Sequence, residues 1–425
     1  MASVGWIDFS SEHRDKVRTV IDLLTKQGVV DELGIGVIRD SFADRMFPGV
    51  STIQTRAKYF VLTALLIHDY DRQTESKKEK ESLDDYLSHW EKWCRIQLAK
   101  RYGDRGEGLG IIGISFGERR DRDVQRPPSS VYWNGLRTFG IVRSRLSLSE
   151  FGRDISGRRS LGAILDQTNR LKGDDLDADA ENGPRIRVPD VEEDYWDNLT
   201  ITLTPTEAEF LRQQITASVP DSLLGQILLD ETATEQIIKL KRNAKFADMA
   251  ELPFLRDLKR EELRKTVRRA RDFWTILEGA HIRYNCLLQS RFGTSAGAAQ
   301  CDEYWETWIR GLETFNWSEW DTDFMWQLVE QHGSNVRPST KKFVNGWIDQ
   351  AHAGATDLDA CDQLVIDQER TNKTARARLR PNAKDEHVDG WIGLSELAYR
   401  LPQVRTLVED IQRGESEEAD PDVGR

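Results

Sequence analysis

At 425 residues the chain has room for two or three domains, each with its own core. A hydrophobic content of 38% with 13 Trp suits packed globular domains, and a formal net charge of −12 argues against a surface coated all over for nucleic acid. The longest apolar run, YFVLTALLI, is far short of the ~20 residues of a bilayer span; with no secretion-signal pattern in MASVGWIDFS and no CxxC among four cysteines, a cytoplasmic protein with reduced thiols is expected.

Residues 4–10 alternate enough for a short strand, and Ser10 or Ser11 then caps a helix with Val17, Val20, Ile21 and Leu24 on one face. A second helix is predicted to end before Pro48. The stretch FPGVSTIQTRAKYFVLTALLIHDYD, residues 47–71, places a Pro-Gly turn and a capping Ser51 ahead of a helix that is apolar all round. Such a turn reads first as a structural clamp for a buried helix. The free amides of the helix terminus, with Arg45, Ser51, Thr52 and Arg56 about them, offer a second reading as an anion site.

Residues 74–82 read as a polar loop, and 83–102 as an amphipathic helix with Leu83, Leu87, Trp90, Cys94 and Leu98 on its apolar side and Gly103 at its end. The run LGIIGISF (109–116) is strand-like. A helix capped by Ser129 or Ser130 should stop at Gly140 and leave Ile141 and Val142 extended; Ser147 and Glu150 then form a capping box for another helix. That rhythm suggests a winged-helix-like module within 104–160. Residues 168–198, acidic and without apolar periodicity, form the candidate linker or surface loop.

From Thr204, Pro205 and Glu207, a second capping box, the chain reads as successive amphipathic helices to about 413, ending in an acidic tail (414–425) expected to be disordered. The fold class is therefore mainly α, a multi-helix bundle with a small α+β portion. The expected divisions are 1–103, a basic module 104–167, the acidic stretch 168–198, a helical domain 199–413 and the tail.

Charge is unevenly spread. Residues 100–160 carry 13 Lys/Arg against 7 Asp/Glu, and 237–271 carry 12 against 5, while 174–197 carry 2 against 10. Two basic segments inside an acidic chain are the footprint sought for contact with a polyanion, although basic helix faces are commonly paired with nearby acids. The candidate phosphate-contacting residues are Arg119, Arg120, Arg122, Arg137, Arg143 and Arg145 in the first segment, with Asp121 and Asp123 interleaved. In the second they are Lys259, Arg260, Arg264, Lys265, Arg268 and Arg271 around two faces of a helix.

Other chemistries find little support. GLGIIG (108–113) matches a dinucleotide string but neither leaves a buried strand nor opens a helix, and no Walker-type loop or HxK pair exists. Glu278 and His281 make one pair at helical spacing, too few for a di-metal carboxylate site, so His281 reads as a core or groove histidine. No metal or cofactor is expected. The Trp-rich stretch 301–330 holds eight acids and one Arg beside Trp305, Trp308, Trp317, Trp320 and Trp326, a field that repels phosphate and suits core packing and protein contact.

The strings GWIDFS, ELGIGVIRDSFADRMFPGVSTIQTRAKYF, RPPSSVYWNGLRTFGI, ARDFWTILEGAHIRYNCLL and ELAYRLPQVRTLVEDI together resemble an uncharacterised bacterial family, a domain of unknown function spanning nearly the whole chain. The resemblance implies an accessory role in anti-phage defence, since members look to be encoded near helicases, phospholipase-D-like nucleases or methyltransferases; it carries no catalytic residues. The expected function is a non-enzymatic subunit that contacts DNA or RNA through its basic segments and a protein partner, such as a helicase or nuclease, through its acidic C-terminal half. A metal-dependent nuclease with dispersed acids and a pure protein scaffold are the alternatives.

Overall fold

The computed structural model describes residues 31–157, 184–331, 335–383, 388, 390–393 and 396–416. The expected strand at 4–10, the first helix, the part of the acidic stretch before 184 and the tail beyond 416 lie outside them, as does the GWIDFS string. Among the described residues the chain is mainly helical, as expected.

In chain order come α1 Gly36–Met46, α2 Lys58–Asp71, α3 Glu75–Lys80, α4 Leu83–Tyr102, α5 Pro128–Thr138 and α6 Leu148–Ile155. Next are α7 Pro205–Ser218, α8 Leu223–Leu229, α9 Glu231–Lys239, α10 Phe246–Ala250 and α11 Pro253–Asp257. The remainder are α12 Glu261–Phe292, α13 Ser295–Glu313, α14 Thr322–Gln331, α15 Pro338–His352, α16 Leu358–Lys373 and α17 Leu401–Glu415. None is long and apolar enough to cross a membrane. The chain divides into a larger unit, Phe42–Val267 with Ala398–Arg425, and a smaller one, Met1–Ser41 with Arg268–Leu397.

The larger unit is built around α2, buried from Lys58 to Ile67. Because all its faces are apolar, neighbours must cover every side: α5 and α4 pack on it, and α7 packs against α17 and α8 nearby in the same unit. Phe60 meets Tyr132 edge-on and lies 5.2 Å from Phe139, centroid to centroid. The Pro48-Gly49 turn feeds this helix. Gly49 has φ of 78°, and a Cβ there would lie 2.8 Å from the Phe139 ring, so only glycine fits.

Both expected capping boxes form, Ser147 with Glu150 on α6 and Thr204 with Glu207 on α7. Three local expectations fail. Ser51 does not cap α2, which starts at Lys58 after a turn that Ser51 merely enters. Residues 75–80 are helical rather than loop. Pro127 rather than a serine stands at the cap of α5.

The winged-helix-like portion is also corrected. LGIIGISF coils instead of extending, with 3-10 turns at Gly103–Leu109 and Ile114–Phe116. Gly110 and Gly113 sit at φ of 71° and 75°, a left-handed backbone that breaks any strand. Among the described residues extended pairing is confined to one antiparallel bridge, Val142 with Ile186. It draws part of the acidic stretch inward, and Ile186 and Tyr195 are buried.

The smaller unit centres on the part of α12 from Arg268 onward. Trp347 of α15 is fully buried and donates its indole N–H to the Ile276 carbonyl at 2.8 Å. Asn285 and Gln289, on one face of α12, hold the 388–392 segment through the backbone of Ile392 and Gly390.

Candidate nucleic-acid interface

The loop from Gly117 to Arg126 is held from beneath by α4. Arg95, only 3% exposed, donates from its two terminal nitrogens to the carbonyls of Gly117 and Arg119, and its guanidinium lies 5.9 Å from the Phe116 ring. Lys92, one turn earlier, donates to the Arg120 carbonyl at 3.3 Å and pairs with Asp123. Four cations remain outward: Arg119, Arg120, Arg122 and Arg126 are exposed. Arg122 stands 3.8 Å from Asp121, a solvated pair of little energetic weight. Among the described residues the other three have no carboxylate partner. Arg95 and Lys92 fix the backbone, and the four exposed arginines project from it.

The α5–α6 corner uses its arginines differently. Arg137 closes the corner, donating to the carbonyls of Arg145 and Leu146 at 3.2 Å each and lying over Trp133. The Arg143 amide joins the bridge region by bonding the Arg185 carbonyl at 2.9 Å, while Arg145 is exposed.

In the second basic segment half of the six candidate cations are paired with acids. Arg260 binds Asp221 at 2.5 Å and Lys265 lies 3.4 Å from Glu261. Arg264 donates to the Arg256 carbonyl, and Lys259 is exposed. Farther along α12, in the smaller unit, Arg271 pairs with Asp272 at 3.2 Å and Arg268 is exposed.

At the opening turn the α2 terminus already holds an anion, and it is the protein's own. Asp410 of α17, buried, accepts from Arg56 Nε at 3.0 and 3.1 Å and from the Ala57 amide at 2.8 Å. The Tyr132 hydroxyl accepts the amides of Thr55 and Arg56, at 2.8 and 3.1 Å. Ser51 Oγ is buried without a partner among the described residues, Thr52 offers its carbonyl to Gln403 at 3.1 Å, and Arg45 is half-buried. Among these elements the clamp is the geometry the turn adopts.

The interior holds groups that pattern reading missed. Lys58, 1% exposed, binds both oxygens of the fully buried Glu207 at 2.8 and 2.7 Å. Tyr195 donates to the same carboxylate at 2.8 Å, and the Thr204 amide at 2.7 Å. Glu91 of α4 accepts from the Ser129 amide at the start of α5, supplying the cap that the serines do not. Its other oxygen is buried without a hydrogen-bond partner among the described residues, and burial pushes its carboxyl up to about 7. A lysine at the head of an apolar run and two glutamates on helix faces were the available signals.

His281 is fully buried beside Trp274, neither ring nitrogen has a partner among the described residues, and burial lowers it to about 4, so it is a neutral core side chain. Elsewhere in the larger unit a groove of about 390 Å³ is lined by His68, Ile186, Arg187, Phe210 and Gln214 among others. Among the described residues no group of three or more His, Cys, Asp or Glu could hold a metal ion.

Comparison with characterised proteins adds no activity. No curated protein and no solved structure matches the chain. A family model matches residues 1–412, nearly its whole length, and the chain belongs to that family, a family of unknown function (DUF6361).

Proposed function

We propose that this protein is a nucleic-acid-associated assembly subunit without a reaction of its own, and that the loop from Gly117 to Arg126 is its phosphate-contacting element. The observation that carries the reading is the division of labour in that loop. Arg95 and Lys92 spend their donors on its carbonyls and on Asp123, so the exposed arginines sit on an ordered backbone. An ordered backbone lowers the entropy lost when those side chains meet phosphates. The setting in a bacterial anti-phage or DNA-processing system, with a helicase or nuclease as protein partner, follows from the family resemblance drawn from the sequence alone.

Fluorescence anisotropy with labelled mixed-sequence DNA and RNA tests it. Affinity should fall as salt rises from about 50 to 200 mM, with a logarithmic slope near −0.9 per duplex phosphate neutralised. A variant combining Arg119→Glu, Arg120→Glu and Arg126→Glu should weaken binding to every sequence alike and flatten that slope by roughly three contacts. Binding that ignores salt, or a variant with an unchanged slope, would remove this loop from the interface.

A further inference from the structure

Helices α12 and α13 follow one another across Gly293 and Thr294 and touch at three levels within the smaller unit. Farthest from the turn, Trp308 lies on the backbone of α12: a Cβ on Gly279 would come 2.3 Å from its indole, whose N–H donates to the Thr275 carbonyl at 2.7 Å. Midway, the Arg283 guanidinium lies 5.2 Å from the Trp305 ring. One heptad from the Gly279–Trp308 contact on both helices come Cys286 and Cys301. The heptad repeat returns both cysteines to the contact line set by glycine and tryptophan.

The two thiols are buried, at 7% and 5% exposure, and close enough to influence each other's ionisation. Arg283, one turn before Cys286, is fixed by both oxygens of Asp362 at 2.7 and 2.8 Å and favours the thiolate form of each cysteine. Cys361 also senses Arg283, but its own thiol is directed to Gln350 Oε1 at 4.0 Å. Cys94 belongs to the larger unit.

We propose that Cys286 and Cys301 are a modification site, a dithiol that hydrogen peroxide converts to a reversible disulfide bracing α12 against α13. The Cys301 sulfur, flanked by exposed Gln300 and Asp302, attacks one peroxide oxygen. The O–O bond breaks, leaving a sulfenic acid on Cys301 and hydroxide, which takes the thiol proton to become water. The Cys286 sulfur then attacks the Cys301 sulfur and expels the sulfenic oxygen, which leaves as a second water with the Cys286 proton. Two thiols lose two electrons, one peroxide gains them, and one S–S bond forms. Burial, which raises Cys286 to about 12, keeps both thiols protonated and makes the first step slow.

Tryptic mapping of the full chain decides the matter, because cleavage after Arg283, Arg291 and Arg310 puts the two cysteines on separate peptides, 284–291 and 292–310. After excess hydrogen peroxide and alkylation under denaturing conditions, the two peptides should appear joined, short of two hydrogens, and separate on reduction. The oxidised protein should melt several degrees above the reduced one, and Cys286→Ser or Cys301→Ser should abolish both the joined species and that shift. Cysteines that remain alkylatable, a sulfinic or sulfonic end product, or a link to Cys361 instead would overturn the proposal, and each is read on the wild-type chain alone, whether or not a variant folds.

Discussion

The opening turn and the arginine loop look alike in sequence: each sets cations beside a glycine-containing turn, and each is followed by a helix. In the folded larger unit they are opposites. At the turn, Arg56 is neutralised by Asp410 and Lys58 by Glu207, acids 354 and 149 residues away along the chain. At the loop, buried Arg95 and half-buried Lys92 hold carbonyls, and no distant acid arrives for Arg119, Arg120 or Arg126 among the described residues. The number of cations in a segment therefore says little about what it binds. What decides is whether the fold delivers a carboxylate to it.

The sharpest way to break the contrast is to remove a delivered partner. Among the described residues, Lys58→Ala leaves the fully buried Glu207 carboxylate with Tyr195 and one amide as its remaining partners. Stranding a buried charge costs about 3–5 kcal/mol, the largest effect expected of any substitution considered for this protein. Lys58→Met combined with Glu207→Gln should recover part of that loss, since it removes both charges together and leaves an amide oxygen for Tyr195 or the Thr204 amide. Urea denaturation monitored by tryptophan fluorescence would show it; a Lys58→Ala midpoint equal to wild type would mean that the pair is not buried as described.

Glu91 offers a graded version of the same experiment, because it is an interior acid to which the fold delivers an amide but, among the described residues, no cation. Its carboxyl is raised from 4.5 to about 7 by burial, so the folded chain holds that proton more tightly than the unfolded one. Stability from this group is therefore greatest below about pH 4.5, falls as pH rises toward 7, and stays low above it. A shift of that size corresponds to roughly 3 kcal/mol. Glu91→Gln should stabilise the protein at pH 8 by up to about that amount and leave it unchanged near pH 4. The orphaned Oε2 is simply replaced by an orphaned amide nitrogen. A variant whose gain does not depend on pH would contradict the assignment.

Those two sites also mark how far the sequence could be read. Helix existence was legible wherever capping and period agreed, as at Thr204–Pro205–Glu207 and Ser147–Glu150, because those signals act within one turn. Ser51 misled because a good cap residue does not begin a helix when Tyr132 and Asp410 satisfy the terminal amides from elsewhere. LGIIGISF misled because its β-forming residues are interrupted by glycines that take left-handed φ. Of the candidate interface, the arginines were visible and Arg95 was not. Nothing local distinguishes a buried cation that buttresses a loop from one on a solvated helix face. Cys286 and Cys301 met only once a hairpin placed two heptads in register.

The smallest effect predicted is also the one that separates display from structure. Arg119 and Arg120 contribute carbonyls to the buttress, but the described residues provide no carboxylate for their side chains. Arg119→Ala with Arg120→Ala keeps every backbone acceptor and should change stability by no more than about 0.5 kcal/mol, the range of exposed substitutions that break no network. Arg95→Leu, by contrast, removes the donors under Gly117 and Arg119 and leaves both exposed arginines in place. If order in the loop matters for contact, that variant should lose polyanion affinity although no displayed cation has been touched. A double alanine variant that loses more than about 1 kcal/mol, or an Arg95→Leu protein that binds as the wild type does, would show that these arginines are held by the fold for its own sake.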